Sequence, residues 1–315
     1  MRINYVTVAN DKLASFRYHI KTPAIELFKL GHKVFISSKP VVDCDAYIFH
    51  KHLRKEDPFI LKEIKTRYPN SKTIFICCDY HLDGKFSDHY HKMISYCDHL
   101  VVCTSEMSRI LLEECNKEST IIEDPWEVKF NENLTKFMKK DIYNLLWFGS
   151  RTNLNSLFKI IPDLKNNNLT VVTEHESGVF KIQGKNINFI NHSQSRVGIE
   201  LDLCDIVIIP QSLDSKSKLV KTHNRLVDTI RSGRFTIASP IPAYLELKDF
   251  AFIGEIGAGL DWIDFQKEST IINMIDNGKE YINNRFSPLI IGKKWEQFLF
   301  SPLAVGQAEN RRSPD

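Results

Sequence analysis

Short apolar runs alternate with longer stretches of helical periodicity along almost the whole chain of 315 residues. This alternation predicts β-strands joined by helical crossovers, and therefore an α/β fold with parallel sheets. In the first half, strands are expected at 3–9, 33–37, 46–49, 72–78, 99–103 and 120–122. In the second half, they are expected at 143–150, 169–174, 187–191, 204–210, 235–239 and 250–254.

Helix-start signals lie between several of these strands. The dipeptide Thr22-Pro23 predicts the N-cap and first position of a helix that ends at Gly31. Asp57-Pro58 opens another helix, and Ser105 is the expected N-cap of a third.

The periodic pattern is lost after residue 123, which divides the chain. Because 315 residues exceed what one hydrophobic core usually supports, two domains are expected. The predicted layout is a domain at 1–125, a linker at 126–141, a domain at 142–288, a helix at 289–300 that crosses back to the first domain, and a disordered tail at 301–315. Two Rossmann-like domains facing across a cleft would place a small-molecule site between them.

Composition excludes several classes of protein. A net charge of +3 is too small to require a nucleic-acid partner, and no G-x-G-x-x-G motif supports a dehydrogenase. The seven cysteines have no C-x-x-C spacing, and no histidine–carboxylate cluster has metal-ligand spacing along the chain, so neither a metal nor a tightly bound cofactor is expected. Without a signal-like N-terminus or a long apolar run, we expect a cytoplasmic protein, with peripheral contact to a membrane surface left open.

The segment 216–242 carries the strongest chemical signal. It predicts a basic turn, a short helix, a glycine stop, a buried strand and a proline-rich exit. Lys221 and Arg225 could neutralise a diphosphate, and Asp228 could accept hydrogen bonds from ribose hydroxyls. The alternative is a solvated helix face with an Arg–Asp pair.

A second candidate for phosphate binding is the turn after the strand at 143–150. Gly149 would let the backbone approach a ligand, and the helix start at Ser150 and Arg151 would offer N–H groups to a phosphate. A tight turn without a ligand is the alternative.

Candidate residues for binding a second substrate lie in two places. The long loop expected after the first strand carries Ser15, Arg17 and His19. The proline-rich exit leads into a short helix that carries Tyr244 and Glu246, which either line the same cleft or serve in packing and at a helix start.

Candidate catalytic residues follow the strand at 72–78. Asp79 or His81 could accept a proton from an attacking hydroxyl. His50 and His52, after another strand, are weaker candidates.

Four segments carry a resemblance to a known family: LASFRYHIKTPAIELFKLGHKVFI, CCDYHL followed by DHLVVCTSEMSRILLEE, LLWFGS, and KTHNRLVDTIRSGRFTIASPIPAYLEL. On these the chain resembles the GT-B glycosyltransferases with group 1 C-terminal domains. The resemblance implies that Lys221 or Arg225 contacts phosphate and that Asp228, five positions before Gly233, contacts ribose. The usual residue there is Glu, and the first glutamate of the E-x7-E pattern falls at Val220, so that pattern is absent.

The resemblance further implies that the first loop and the loop at Asp79–His81 serve the acceptor and the chemistry. The implied activity is hexosyltransferase-like transfer (EC 2.4 class) from a nucleoside diphosphate sugar to a hydroxyl of a glycan, a lipid-linked glycan or a modified DNA base. The alternatives are a non-catalytic nucleotide- or glycan-binding protein and a nucleotide-sugar epimerase. Donor sugar, stereochemical outcome and oligomeric state stay open.

Overall fold

The computed structural model describes residues 1–51, 54–129 and 137–301, and the chain divides into two compact units. Unit 1 comprises Met1–Pro125 and Pro288–Asp315, and unit 2 comprises Trp126–Ser287. The expected tail, apart from Ser301, and part of the expected linker lie outside the described residues.

Unit 1 is built on a six-stranded parallel sheet in the order β2-β1-β3-β4-β5-β6. Its strands are β1 (Arg2–Val6), β2 (Lys33–Ser37), β3 (Ala46–His50), β4 (Lys72–Ile76), β5 (His99–Val102) and β6 (Thr120–Ile121). The central strand β3 is buried at every position, as its apolar run predicts for a parallel sheet covered on both faces. The strand order reverses beside β1, which pairs with β2 on one side and β3 on the other.

The helices of unit 1 are α1 (Ala14–Phe16), α2 (Thr22–Lys29), α3 (Asp57–Arg67), α4 (Ser87–Tyr96), α5 (Ser105–Cys115) and α13 (Pro288–Phe300). Two predicted helix starts are wrong by position. A π-helical turn at Arg17–Lys21 joins α1 to α2. Lys21 and Thr22 both have helical backbone dihedrals, so Thr22 lies inside a continuous helical segment and is not an N-cap. Thr104 is the N-cap of α5, since its side chain accepts a hydrogen bond from the Met107 N–H, and Ser105 is the first helical residue.

The last helix, α13, belongs to unit 1 and packs against α2. Gly292 makes this approach close, because a Cβ there would lie 2.4 Å from the Cβ of Glu26. Ile291, Trp295 and Leu299 complete the contact as part of the core of unit 1.

Unit 2 contains a seven-stranded sheet in the order β13-β12-β11-β7-β8-β10-β9. Its strands are β7 (Asn144–Phe148), β8 (Asn168–Thr173), β9 (Gly178–Ile182), β10 (Lys185–Asn191), β11 (Ile206–Ile209), β12 (Phe235–Ala238) and β13 (Phe252–Ile253). The pattern did not predict β9, which pairs antiparallel with β10 at the sheet edge. The strand order reverses beside β7, between β8 and β11.

The helices of unit 2 are α6 (Leu154–Lys159), α7 (Gln194–Leu203), α8 (Lys216–Leu219), α9 (Asn224–Arg231), α10 (Pro242–Leu245), α11 (Ile256–Phe265) and α12 (Glu268–Phe286). They cover both faces of the sheet with two apolar clusters, one around Trp147 and one around Phe148 and Tyr244. The α/β fold class predicted from the sequence is confirmed. Within the described ranges, no helix has the length and apolar character needed to cross a membrane.

Candidate functional site

Arg225 and Gly149 meet at the carboxyl edge of the unit 2 sheet, where the strand order reverses. The Arg225 guanidinium Nη1 donates to the Phe148 carbonyl oxygen over 3.3 Å, at the end of β7. A Cβ on Gly149 would lie 3.1 Å from that same nitrogen. The glycine therefore leaves the space that the guanidinium occupies. Ligands of open α/β sheets bind at such reversal points, outside the carboxyl ends of the strands.

Lys218 and Lys221 lie in the same region. The Lys218 ammonium donates to Asn153 Oδ1 over 3.2 Å, which connects α8 to the loop after β7. Lys221 lies in the turn between α8 and α9, and its side chain is half-buried. Together with Arg225 they place three cationic side chains along one short segment of chain. Lys218 was not among the residues selected from the sequence.

Most N–H groups of the turn after β7 are engaged within the chain. Gly149 N–H donates to the Val172 carbonyl over 3.1 Å, and Arg151 N–H donates to Glu174 Oε2 over 2.9 Å. Ser150 is an N-cap whose hydroxyl accepts from the Thr152 N–H. Since these donors are occupied within the chain, a phosphate would have to bind the side-chain cations instead.

Asp228 is a buried carboxylate, 1% exposed. Its Oδ1 accepts hydrogen bonds from the backbone N–H groups of Glu127 (3.0 Å) and Val128 (3.2 Å). The ribose contact expected from the resemblance is not the role that this geometry favours. Asp228 instead ties the chain at the start of unit 2 to α9, the helix that carries Arg225.

Tyr244 and Glu246 belong to unit 2, as the donor candidates do, whereas Ser15, Arg17 and His19 belong to unit 1. Tyr244 is fully buried; its burial raises the pKa of the phenol, and the neighbouring Arg225 acts in the opposite direction.

The Glu246 carboxylate accepts hydrogen bonds from His223 (3.2 Å) and Arg285 (2.7 Å). The His223 hydrogen bond, opposed by burial and aided by Arg285, lowers the pKa of Glu246 to about 2.

Two polar side chains near this edge were not predicted from the sequence. Gln211 follows β11 and is 8% exposed, and Asn224 begins α9. The side-chain oxygens Gln211 Oε1 and Asn224 Oδ1 are buried without a hydrogen-bond partner among the described residues. Such oxygens are unusual in native proteins and indicate a missing donor. The position of Gln211 directly after a strand was the only available signal.

In unit 1 a buried cluster gathers at the carboxyl edge of the sheet. His19 Nε2 lies 2.7 Å from Asp124 Oδ1, and His19 Nδ1 lies 3.0 Å from His50 Nε2. Burial opposes a charge on His19, but Asp124, Cys78 and Cys103 together raise its pKa well above the usual value.

The same cluster contains two groups of potential metal ligands: His19, His50 and Cys78, and His19, Cys103 and Asp124. In each group the ligand atoms lie within 4.8 Å of one another. Nitrogen and sulfur donors at this spacing are of the kind that Zn²⁺ takes. Spacing along the chain gave no sign of them, because each residue follows a different strand.

Ser15 and Arg17 are not on the long loop that the sequence predicted. They lie on α1 and on the π-helical turn that follows it, because helical structure begins at Ala14. The Arg17 guanidinium donates to the Asp11 carbonyl over 2.9 Å. Of the predicted acceptor-side residues, Ser15 and Arg17 are half-buried and His19 is buried.

Asp79 and His81 line a pocket of ≈ 500 Å³ within unit 1. Asp79 follows β4 and accepts from the ammonium of Lys51, which follows β3. The His81 ring packs edge-on against Tyr90, with centroids 4.8 Å apart. His52 lies outside the described residues.

The sequence places Lys136, Lys139 and Lys140 in the linker, where they could meet the phosphates of a DNA acceptor, but the two that the structure describes are engaged with the protein. The Lys139 ammonium donates to the Asp264 carbonyl over 3.0 Å, and Lys140 pairs with Asp205 over 2.6 Å. Lys136 lies outside the described residues. The described lysines of this segment therefore give no support to a DNA-binding surface.

No protein-family model and no curated protein matches this chain. Solved structures do match over nearly its whole length. HepE of Anabaena, solved with UDP-glucose, is 10% identical with a TM-score of 0.63, and the match covers 95% of this chain and 99% of HepE.

A glycosyltransferase from Rickettsia africae ESF-5 is 13% identical with a TM-score of 0.61, and the match covers 95% of this chain and 97% of the Rickettsia chain. AviGT4, a glycosyltransferase involved in avilamycin A biosynthesis, is 10% identical with a TM-score of 0.60, and the match covers 95% of this chain and 97% of AviGT4. The chain has the GT-B fold of glycosyltransferases, as the resemblance implied.

Proposed function

We propose that this protein is a glycosyltransferase that moves a sugar from a nucleoside diphosphate sugar to a hydroxyl group of an acceptor. Unit 2 binds the donor, and unit 1 binds the acceptor. The fold agrees with this activity, and HepE, which shares it, was solved with UDP-glucose.

One observation carries the proposal: Lys218 and Arg225 contact the loop and the strand end at β7, where the strand order of the unit 2 sheet reverses, and Lys221 lies between them in the chain. Several N–H groups of the loop after β7 are already occupied, so side-chain cations are needed to bind a diphosphate there. Arg225 is suited to two parallel hydrogen bonds with phosphate oxygens, and the lysines supply point charges.

These cations also serve the chemical step. When the bond between the sugar and the diphosphate breaks, negative charge builds on the leaving diphosphate. Fixed positive groups beside it stabilise that charge more in the transition state than in the ground state, and this difference accelerates the reaction. A metal is not required for this step if the three side chains supply the charge.

The nucleoside end of the donor would meet the polar side chains missed in the sequence. The unpartnered oxygens of Gln211 and Asn224 can accept hydrogen bonds from base N–H or ribose O–H groups. Asp228 acts through Arg225 as a positioning residue, since its carboxylate holds the backbone at Glu127 and Val128 against α9.

On the acceptor side, His81 is our candidate for the general base. A general base must reach the hydroxyl whose proton it takes, and His19 is buried against Asp124 and His50. His81 lines the pocket at the carboxyl ends of β3 and β4, together with Asp79. Asp79 is paired with Lys51, so we assign it to orienting that wall of the pocket.

The test measures donor binding and turnover separately. Calorimetry with UDP and other nucleoside diphosphates is expected to show about ten- to a hundredfold weaker binding for Arg225→Ala, the loss of a charge-assisted hydrogen bond of about 1.5–3 kcal/mol. Arg196→Ala is the matched control, because Arg196 is an exposed arginine of the same unit that pairs with Glu200. Full binding by both Arg225→Ala and Lys221→Ala would contradict the assignment.

A panel of nucleotide sugars then separates the classes of function. A transferase releases nucleoside diphosphate and does so faster with an acceptor. A degenerate binding protein binds the donor without releasing diphosphate, and an epimerase converts the sugar nucleotide without any acceptor.

A further inference from the structure

The pocket of ≈ 500 Å³ in unit 1 has an excess of positively charged side chains. Lys51, Lys55 and Lys85 line it, against the single carboxylate of Asp79. It lies at the carboxyl ends of β3 and β4: Lys51 directly follows β3, and Asp79 is the third residue after β4. Its volume is within the range of pockets for small molecules, about 300–1,000 Å³.

Only one of the three lysines is neutralised inside the pocket. The Lys51 ammonium contacts Asp79, and both side chains are less than a fifth exposed. Lys55 and Lys85 are exposed, and no described carboxylate lies within ion-pair distance of either. Three positive charges against one negative charge leave the pocket cationic, which favours a ligand with a negative group.

Lys51 stays charged in this setting. Burial alone would lower the pKa of its ammonium, but Cys78 and Asp79 raise it above the usual value. The Lys51–Asp79 pair is therefore a fixed part of the wall, and Lys55 and Lys85 are left to meet a ligand.

One wall of the pocket is aromatic. The His81 ring packs edge-on against Tyr90 and against Phe86, with interplanar angles of 64° and 79°. Tyr90 is buried, and its hydroxyl donates to the Lys51 carbonyl over 3.4 Å, so this wall is held to the end of β3. Apolar and aromatic surface with a few charged groups suits a small organic acid better than a free ion.

We propose that this pocket binds an acidic acceptor, a sugar that carries a phosphate monoester or a carboxylate. The acidic group contacts Lys55 and Lys85, the ring lies along the wall of His81 and Phe86, and a hydroxyl is presented to His81. This assignment rests on the proposed transferase function and specifies its acceptor class.

Binding to the full chain without donor tests the pocket directly. Calorimetric titration would use glucose 6-phosphate, glucuronate, glucose and inorganic phosphate at two salt concentrations. We expect saturable binding of at least one acidic sugar, at least tenfold tighter than glucose, and weaker at high salt. The double variant Lys55→Gln/Lys85→Gln should lose at least tenfold in that affinity. Lys92→Gln, an exposed lysine of α4 outside the pocket, should keep it.

The two acidic sugars distinguish the source of the negative charge. Binding of glucose 6-phosphate alone assigns a phosphate, and binding of glucuronate alone assigns a carboxylate. The proposal is overturned if neither acid binds, if glucose binds as tightly, if inorganic phosphate matches the sugar phosphate, or if the double variant binds like the wild type.

Failure of the pocket and failure of the transferase assignment give different results. If the acceptor class is wrong, nucleoside diphosphates still bind and Arg225→Ala still weakens them. If the transferase assignment is wrong, those diphosphates fail to bind while the acidic sugars still bind the pocket and still depend on Lys55 and Lys85.

Discussion

His19 Nε2 lies 2.7 Å from Asp124 Oδ1, and both side chains are buried in unit 1. His19 belongs to the π-helical turn after β1, and Asp124 follows β6, the edge strand of the sheet opposite β2. The pair joins the two ends of the chain segment that forms this sheet.

We predict that Asp124→Asn lowers the pKa of His19. Burial alone disfavours the imidazolium, and Asp124 is the first of the groups that raise the pKa. NMR titration of the imidazole protons measures the shift. Asp11→Asn removes an exposed carboxylate of the same unit, and it should leave His19 unchanged. An unaltered His19 titration in Asp124→Asn would show that the pair does not hold the proton.

The same pair gives a pH dependence of stability. Because the folded-state pKa of His19 is raised, its contribution is fully present below the unfolded value, 6.5, and is lost as pH rises through the higher folded value. The stability difference between wild type and Asp124→Asn in denaturant unfolding should therefore shrink as pH rises through that range. A difference that grows with pH would have the wrong sign.

Glu246 gives the free energy of unfolding the opposite dependence on pH. Its pKa is lowered from 4.5 to about 2, mainly by the hydrogen bond from His223 and also by Arg285. Its contribution is present above 4.5 and is lost as pH falls towards about 2. We expect Glu246→Gln to destabilise unit 2 at pH 7 and to lose most of that effect in acid, as followed by urea unfolding. Glu280→Gln, an exposed glutamate of α12, is the control and should change little at either pH.

Gly292→Ala tests the packing of α13 in unit 1. The added Cβ would meet the Cβ of Glu26 at 2.4 Å, so α2 and α13 must separate. Overpacking of this kind costs about 1–3 kcal/mol, which thermal unfolding can detect. Lys293→Ala changes the next, exposed residue of the same helix and should be nearly neutral. Equal stability of the two variants would argue against the contact.

Substitutions of Asp228 distinguish a ribose contact from a positioning role. Asp228→Ala leaves the N–H groups of Glu127 and Val128 without their acceptor, and a lost buried hydrogen bond of this kind costs about 1–3 kcal/mol. Asp228→Asn retains an acceptor oxygen, so it should keep most of the stability and most of the affinity for nucleoside diphosphates. A large loss of affinity in a stable Asp228→Asn protein would restore the ribose assignment.

The order of strands and helices follows from local sequence. The expected strands at 46–49 and 235–239 coincide with β3 and, up to Ala238, with β12, because a strand buried on both faces requires a continuous apolar run. The edge strand β9 was missed, since its residues are only partly buried and carry no such run. The helix at Ala14 was also missed, because the helix-start signal at Thr22-Pro23 lies inside a longer helical segment.

For the candidate sites, the sequence by itself identified the segment with Lys221 and Arg225, and also Asp79 and His81, because each lies directly after a strand or at a helix start. It could not show that the N–H groups after β7 are occupied, that Asp228 is buried, or that Lys55 and Lys85 join His81 around one pocket. Those facts depend on which strands become neighbours, and a parallel sheet brings together strand ends that are far apart in the chain. Sequence periodicity therefore determined the elements of this protein, and only the tertiary structure decided which side chains share a site.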